Sequence, residues 1–159
     1  MSQSVWRIAT DARTYEADDL SGKGAEIAGG RWNPVGTPLV YAAQSRALAC
    51  LETVVHLNAG GLPLNRYLVQ IEVPPAIWAQ AELLDATPHI GWDAEPPSKK
   101  SLDLGVEWIA SHRSALLFVP SVIGPEELNA LINPHHPDAS GITAKKVRKW
   151  TYDPRLKSA

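Results

Sequence analysis

Three side chains in the first third of this chain have the types and spacing to act together on an anionic, ribose-bearing ligand: Arg31, Tyr41 and Glu52. Glu52 belongs to Ser45-Arg-Ala-Leu-Ala-Cys-Leu-Glu-Thr-Val-Val-His-Leu57, which reads as a helix. Leu48, Leu51 and Val55 recur there at i, i+3 and i+7 and predict its buried face. Glu52 stands on the flank of that stripe, where a carboxylate is partly desolvated and needs a partner or a task. Arg31 lies in Gly29-Gly-Arg-Trp-Asn-Pro-Val-Gly36. Two glycines allow the backbone to approach a ligand closely, and the guanidinium fork matches a phosphate or carboxylate. The plainer alternative is a surface turn with a salt-bridged arginine. Trp32 can stack on a ring or pack in the core. Tyr41 immediately precedes the Glu52 helix; a strand tyrosine is ordinarily a packing residue, but the junction brings it toward Glu52.

Other candidates carry less. His56 is one helical turn from Glu52, and such a pair can hold a metal. However, His89, His112, His135 and His136 lack zinc-ligand spacing and no H-E-x-x-H occurs, so no metal is expected and a local Glu–His contact is the simpler reading. Ser121 follows Leu117-Phe-Val-Pro without a G-x-S-x-G elbow, which favours a hydrogen-bonding serine over a nucleophile. The glycines around Arg31 form neither a P-loop nor a G-x-G-x-x-G fingerprint. Cys50, the single cysteine, sits mid-helix among apolar residues and reads as core.

Those residues must be positioned by one domain, residues 1–159, long enough to bury a real core. A charge of −2 argues against broad nucleic-acid binding by this chain, leaving one basic run at Lys145-Lys-Val-Arg-Lys149. No apolar run reaches membrane-spanning length and the N-terminus lacks a signal-peptide core, so a cytoplasmic protein is expected.

Strands are predicted over residues 5–9, 39–43, 67–73, 115–119 and 147–152. Residues 10–30 read as irregular, with about one helical turn. Ser45 is the expected N-cap of the Glu52 helix, and Asn58-Ala-Gly-Gly61 its end. Residues 78–100 carry Trp78 and Trp92 between prolines, which predicts a packed excursion. Ser101 is the expected cap of a helix reaching about His112. Pro125-Glu-Glu-Leu-Asn-Ala-Leu131 suggests a helical turn, followed by a loop over 133–138. Helices and strands interleave without a βαβ repeat, so the expected class is α+β.

Gly30-Arg-Trp-Asn-Pro-x-Gly36, Leu39-Val-Tyr-Ala42 and Ala49-x-x-Glu52 resemble the RES domain family, which is named for an arginine, a glutamate and a serine. Arg31, Glu52 and Ser121 match these, and Leu131-Ile-Asn-Pro-His-His-Pro137 and Asp153-Pro-Arg155 follow the same pattern. The resemblance implies an ADP-ribosyltransferase-like fold, with a mixed, largely antiparallel split sheet flanked by helices. It implies a bacterial toxin that takes NAD+ as substrate, needs no separate cofactor, and is neutralised by an Xre-like helix-turn-helix antitoxin. A homodimer within the antitoxin complex is compatible with it.

The resemblance implies NAD+ degradation by hydrolysis or phosphorolysis, with protein ADP-ribosylation as the alternative. A non-catalytic partner-binding module is a further reading, which the joint presence of Arg31, Tyr41 and Glu52 disfavours. Cleaving the nicotinamide–ribose bond passes through an oxocarbenium-like state, which a carboxylate at Glu52 would stabilise more than the ground state. Under this reading Arg31 and Tyr41 are catalytic as well as substrate-binding. Arg31 clamps the pyrophosphate or ribose, and Tyr41 meets the nicotinamide end. Ser121 donates to the ligand or orients Glu52, and Asn33 contributes to binding.

Overall fold

The computed structural model describes residues 1–57 and 60–157. Its elements are β1 (Gln3–Ala9), α1 (Lys23–Ala28), β2 (Val40–Ala43), α2 (Arg46–Val54), β3 (Arg66–Val73), α3 (Pro75–Ala79), β4 (Glu82–Leu83), α4 (Lys99–Ser111), β5 (Leu116–Pro120), β6 (Leu128–Ile132) and β7 (Thr143–Trp150), with short 3-10 turns at Pro137–Gly141 and Pro154–Leu156. The strands form one sheet in the order β4-β5-β6-β2-β1-β3-β7. All neighbours are antiparallel except β4 and β5. This is the expected α+β class, mixed and largely antiparallel.

The sheet is split near its middle. β1 and β3 pair from Gln3↔Val73 to Ala9↔Tyr67, whereas β1 and β2 meet only at Trp6↔Ala43. Beyond that pair the two strands splay apart. Side chains alternate across a strand, so each half-sheet has two apolar faces. One gathers Val5, Val40, Val69, Ile71, Phe118 and Ile132. Trp78 of α3 meets Phe118 edge-on there, at 5.1 Å between ring centroids. The opposite face is covered by α2, over Trp6, Ile8, Ala43 and Leu68, and by α4, whose buried Trp108 packs with Trp32, Leu117 and Leu131. The Trp108 indole donates to Ser114 Oγ at 3.0 Å.

Several expectations are corrected. α2 is capped by Ser45, whose Oγ accepts from Leu48 N at 3.0 Å, but it buries Leu48, Ala49 and Cys50. Leu51 and Val55 are exposed. The helix docks through small residues that allow close approach to Trp6 and Ala43, and it ends at Val54, before Val55 can join a stripe. Of the predicted helix end at 58–61, residues 58 and 59 lie outside the described residues. α4 is capped by Ser98, whose Oγ accepts from Lys100 N; Ser101 is buried inside the helix. Residues 125–131 are not a helical turn. Glu127 N bonds Gly124 O to close a turn, and Leu128–Ile132 becomes β6 because β2 and β5 pair with it on both sides. Residues 78–100 are packed as expected: Leu84 N bonds Phe118 O and Trp92 stacks near Trp32. The basic run Lys145–Lys149 lies on the edge strand β7.

Candidate active site

Glu52 lies near the C-terminus of α2, facing the end of the β5–β6 hairpin. Its Oε1 accepts from Ser121 Oγ at 2.7 Å and from Asn129 Nδ2 at 2.8 Å. Its Oε2 makes no hydrogen bond to any described residue. Ser121 is fully buried one residue beyond β5, and its Oγ also accepts from Ile123 N. One carboxylate oxygen is thus fixed by two donors from different elements, and the other is left to meet a ligand. His56, by contrast, is exposed and makes no hydrogen bond with Glu52. Among the described residues no three His, Cys, Asp or Glu side chains converge on a point that could hold a metal ion.

Tyr41 and Asn33 form a second cluster. The Tyr41 hydroxyl donates to Asn33 Oδ1 at 2.6 Å and accepts from Trp32 N at 3.0 Å. Burial holds the Tyr41 proton well above the ordinary tyrosine range, against the opposing pull of those hydrogen bonds and of the Arg31 charge. Asn33 Nδ2 donates to the carbonyls of Ala25, Pro34 and Thr37. This buried amide therefore shapes the loop between α1 and β2. A side chain at Gly30 would put its Cβ 2.6 Å from the Tyr41 hydroxyl, so only glycine fits there.

The two clusters share one sheet face. Ala43 is two residues beyond Tyr41 and is paired with Asn129, while Val119, two before Ser121, is paired with the same Asn129. The structure makes no direct hydrogen bond between the Tyr41 cluster and Glu52. Strand alternation sets them in one row.

Arg31 is engaged within the protein. Its guanidinium donates to Trp92 O at 3.1 Å, Ala94 O at 2.8 Å and Glu95 Oε2 at 2.8 Å. Its side chain is 14% exposed, against 69% for Glu95. The Glu95 contact is thus solvent-screened and weak, and the two carbonyls carry the anchoring. Arg31→Ala is expected to release the 92–95 segment. Stability should fall by about 1–3 kcal/mol, and limited proteolysis should cut in that segment faster than in wild type. Unchanged protease resistance would show these contacts to be idle.

Sequence reasoning did not single out Asn129, because the stretch that carries it reads as helical. The alternation of Leu128-Asn-Ala-Leu-Ile132 was the available signal. It also missed Gly105 of α4. A Cβ there would lie 1.8 Å from the Trp32 carbonyl oxygen, so α4 presses directly on the backbone of the loop bearing Arg31.

The site is a split α+β sheet with a carboxylate held at one end and, on the neighbouring strand β2, a tyrosine bonded to the loop that precedes it. The family model of the RES domain matches residues 4–155. The chain is 69% identical over 159 residues to a protein named Prs ADP-ribosylating toxin from Sphingobium sp., with 98% of each chain covered. It is 38% identical to a Toxin Res of Pseudomonas putida (96% of this chain, 98% of that one) and 36% identical to a Toxin Res of Yersinia enterocolitica (91% and 95%). The chain belongs to the RES domain family and is a toxin of that type.

Proposed function

We propose that this toxin consumes NAD+ by breaking the nicotinamide–ribose bond and transfers the ADP-ribose to a protein, the one called Prs in the name of the Sphingobium relative. The observation that carries the chemistry is the Glu52 carboxylate, with Oε1 held by Ser121 and Asn129 and Oε2 unbonded among the described residues. The C–N bond breaks with its electron pair leaving on nicotinamide, which departs neutral and needs no strong acid. Positive charge develops on the ribose. The fixed carboxylate opposes that charge at no reorganisation cost, and Oε2 is placed to accept from a ribose hydroxyl. The acceptor's oxygen or nitrogen then bonds to the ribose anomeric carbon and releases its proton.

Water or phosphate as acceptor uses the same first step and gives free products. The name of the 69% identical relative supports a protein acceptor over water or phosphate. In this reading Tyr41 and Arg31 bound the nicotinamide side. Ser121 is a positioning residue for Glu52, and Asn33 a positioning residue for Tyr41. The proposed partner is an Xre-like helix-turn-helix antitoxin that blocks the cleft, and the proposed site of action is the cytoplasm. No helix among the described residues is long and apolar enough to cross a membrane.

The test incubates purified toxin with NAD+, with and without Prs and with and without phosphate, and identifies products by mass. Prs gaining the mass of ADP-ribose is the expected result. Free ADP-ribose or its phosphate ester with unmodified Prs would move the reading to hydrolysis or phosphorolysis. NAD+ untouched in every arm would sink both.

A further inference from the structure

Two of the apolar residues that the sequence pattern assigns to the buried face of α2 stand outside instead, beside Glu52. Leu51 is 38% exposed and Val55 59%. They are four residues apart on α2 and its C-cap, so their side chains are neighbours on one flank. Val55 is three residues from Glu52, which sets that flank against the carboxylate. A third apolar side chain comes to the same place from the β5–β6 hairpin. Ser121 Oγ donates to Glu52 and accepts from Ile123 N at 3.1 Å, and Ile123 is 41% exposed. Single exposed apolar residues are ordinary, but a group gathered round a reactive carboxylate from two elements marks a contact surface.

The same hairpin turn supplies charge next to that surface. Glu126 and Glu127 are exposed, and neither carboxylate has a hydrogen bond or ion pair among the described residues. An apolar centre with a polar, charged rim is the anatomy of a protein–protein contact. The position of the surface says what covers it. A protein that attacks a ribose held at Glu52 Oε2 must bring its attacking atom to that sugar, so the chain bearing the atom lies over Leu51, Val55 and Ile123. The unpaired acidic rim selects a chain with cations beside the modified residue.

We propose that Leu51, Val55 and Ile123, rimmed by Glu126 and Glu127, form the docking surface for the protein that accepts the ADP-ribose. That protein presents an apolar side chain and a Lys or Arg next to the residue it offers. The proposal rests on the protein-acceptor reading above. The transfer is the one described there: nicotinamide leaves with the electron pair of the broken bond, the acceptor's oxygen or nitrogen bonds to the anomeric carbon, and its proton passes to solvent. Glu52 governs whether the bond breaks, and the docking surface governs where the ADP-ribose goes. Water gains nothing from an apolar surface, so loss of docking leaves only hydrolysis.

The experiment compares the whole wild-type chain with Leu51→Ser/Val55→Ser, Ile123→Ser and Glu126→Lys/Glu127→Lys. It measures calorimetric binding of Prs without NAD+, the KM for Prs in ADP-ribosylation, NAD+ loss without Prs, and the melting temperature. In Leu51→Ser/Val55→Ser, Prs affinity should fall and its KM rise roughly ten- to a hundredfold, while NAD+ loss without Prs stays at the wild-type level. Glu126→Lys/Glu127→Lys should weaken Prs binding severalfold and flatten its salt dependence; it decides the matter if the serine variants do not fold. Unchanged Prs affinity and KM in the folded variants of a toxin that modifies Prs overturn the surface and keep the activity. Prs bound through these residues by a wild type that leaves NAD+ intact removes the proposed activity and keeps the surface. A wild type that neither binds nor modifies Prs overturns the surface, and its NAD+ loss reports separately on the bond-breaking step. Variants that lose antitoxin binding or self-association but modify Prs normally give the surface to that occupant and overturn the proposal.

Discussion

Glu52→Gln is expected to lower NAD+ turnover by roughly a hundredfold or more, a loss of at least about 2.7 kcal/mol of transition-state stabilisation. The swap keeps an Oε1 that can still accept from Ser121 and Asn129, so the hydrogen-bonded frame at 2.7 and 2.8 Å survives. What disappears is the negative charge and the acceptor at Oε2. Substrate affinity should change far less, because the positive ribose that the charge opposes arises only in the transition state. Removing a partly desolvated charge can leave the protein equally or more stable. If Glu52 were only a structural acceptor for Ser121 and Asn129, the pattern would invert, with earlier melting and near-normal turnover of the folded fraction. Melting curves and turnover on one preparation separate the two cases. A destabilised but fully active variant would remove Glu52 from the mechanism.

Gly105→Ala is expected to have the largest effect on folding. In an ordinary exposed helix this substitution stabilises by about 1 kcal/mol. Here the new Cβ would lie 1.8 Å from the Trp32 carbonyl oxygen and 2.7 Å from its carbon. Both are backbone atoms, so no side chain can swing aside. α4 must retreat from the loop, and Trp108 must leave its packing with Trp32, Leu117 and Leu131. The cost should be at least about 3 kcal/mol, a large part of the roughly 5–15 kcal/mol by which a domain is stable. Because the displaced loop carries Arg31, Asn33 and the partner of Tyr41, the remaining folded protein should also lose turnover. A midpoint of urea unfolding equal to or above that of wild type would refute this account of the α4 contact.

Those two positions mark the limits of what the chain discloses by itself. Glu52, Tyr41, Arg31 and Ser121 stand out because their types are unusual for their places, and the structure brings the Ser121 hydroxyl onto Glu52 Oε1. Gly105 looks like a weak point in a helix; its purpose depends on a backbone 73 positions away, which no local pattern encodes. Asn129 was hidden for a related reason. Pro125-Glu-Glu is a good helix start, yet pairing on both sides with β2 and β5 overrides that local preference. In α2 the large residues Leu51 and Val55 suggest the wrong face, because a tight dock selects Ala49 and Cys50 over bulk. The main strands β1, β3 and β5 were legible because their alternation or apolar runs coincide with their burial.

The two ends of the sheet bear on how copies of this chain meet. A free strand edge is a template on which another strand can add, and proteins guard it with short strands and charge. At one end β4 is two residues long, and its own Glu82 is held by Arg113 at 3.1 Å. At the other, β7 carries Lys145, Lys146, Arg148 and Lys149 within eight residues. Lys146 leans on Asp11 at 3.0 Å, which leaves most of that row facing outward. Two β7 edges drawn together would set like charges opposite each other, which is unfavourable at strand spacing. Pairing of two copies through β7 is thereby disfavoured, and at the other edge the two-residue β4 offers little backbone for a strand to add to.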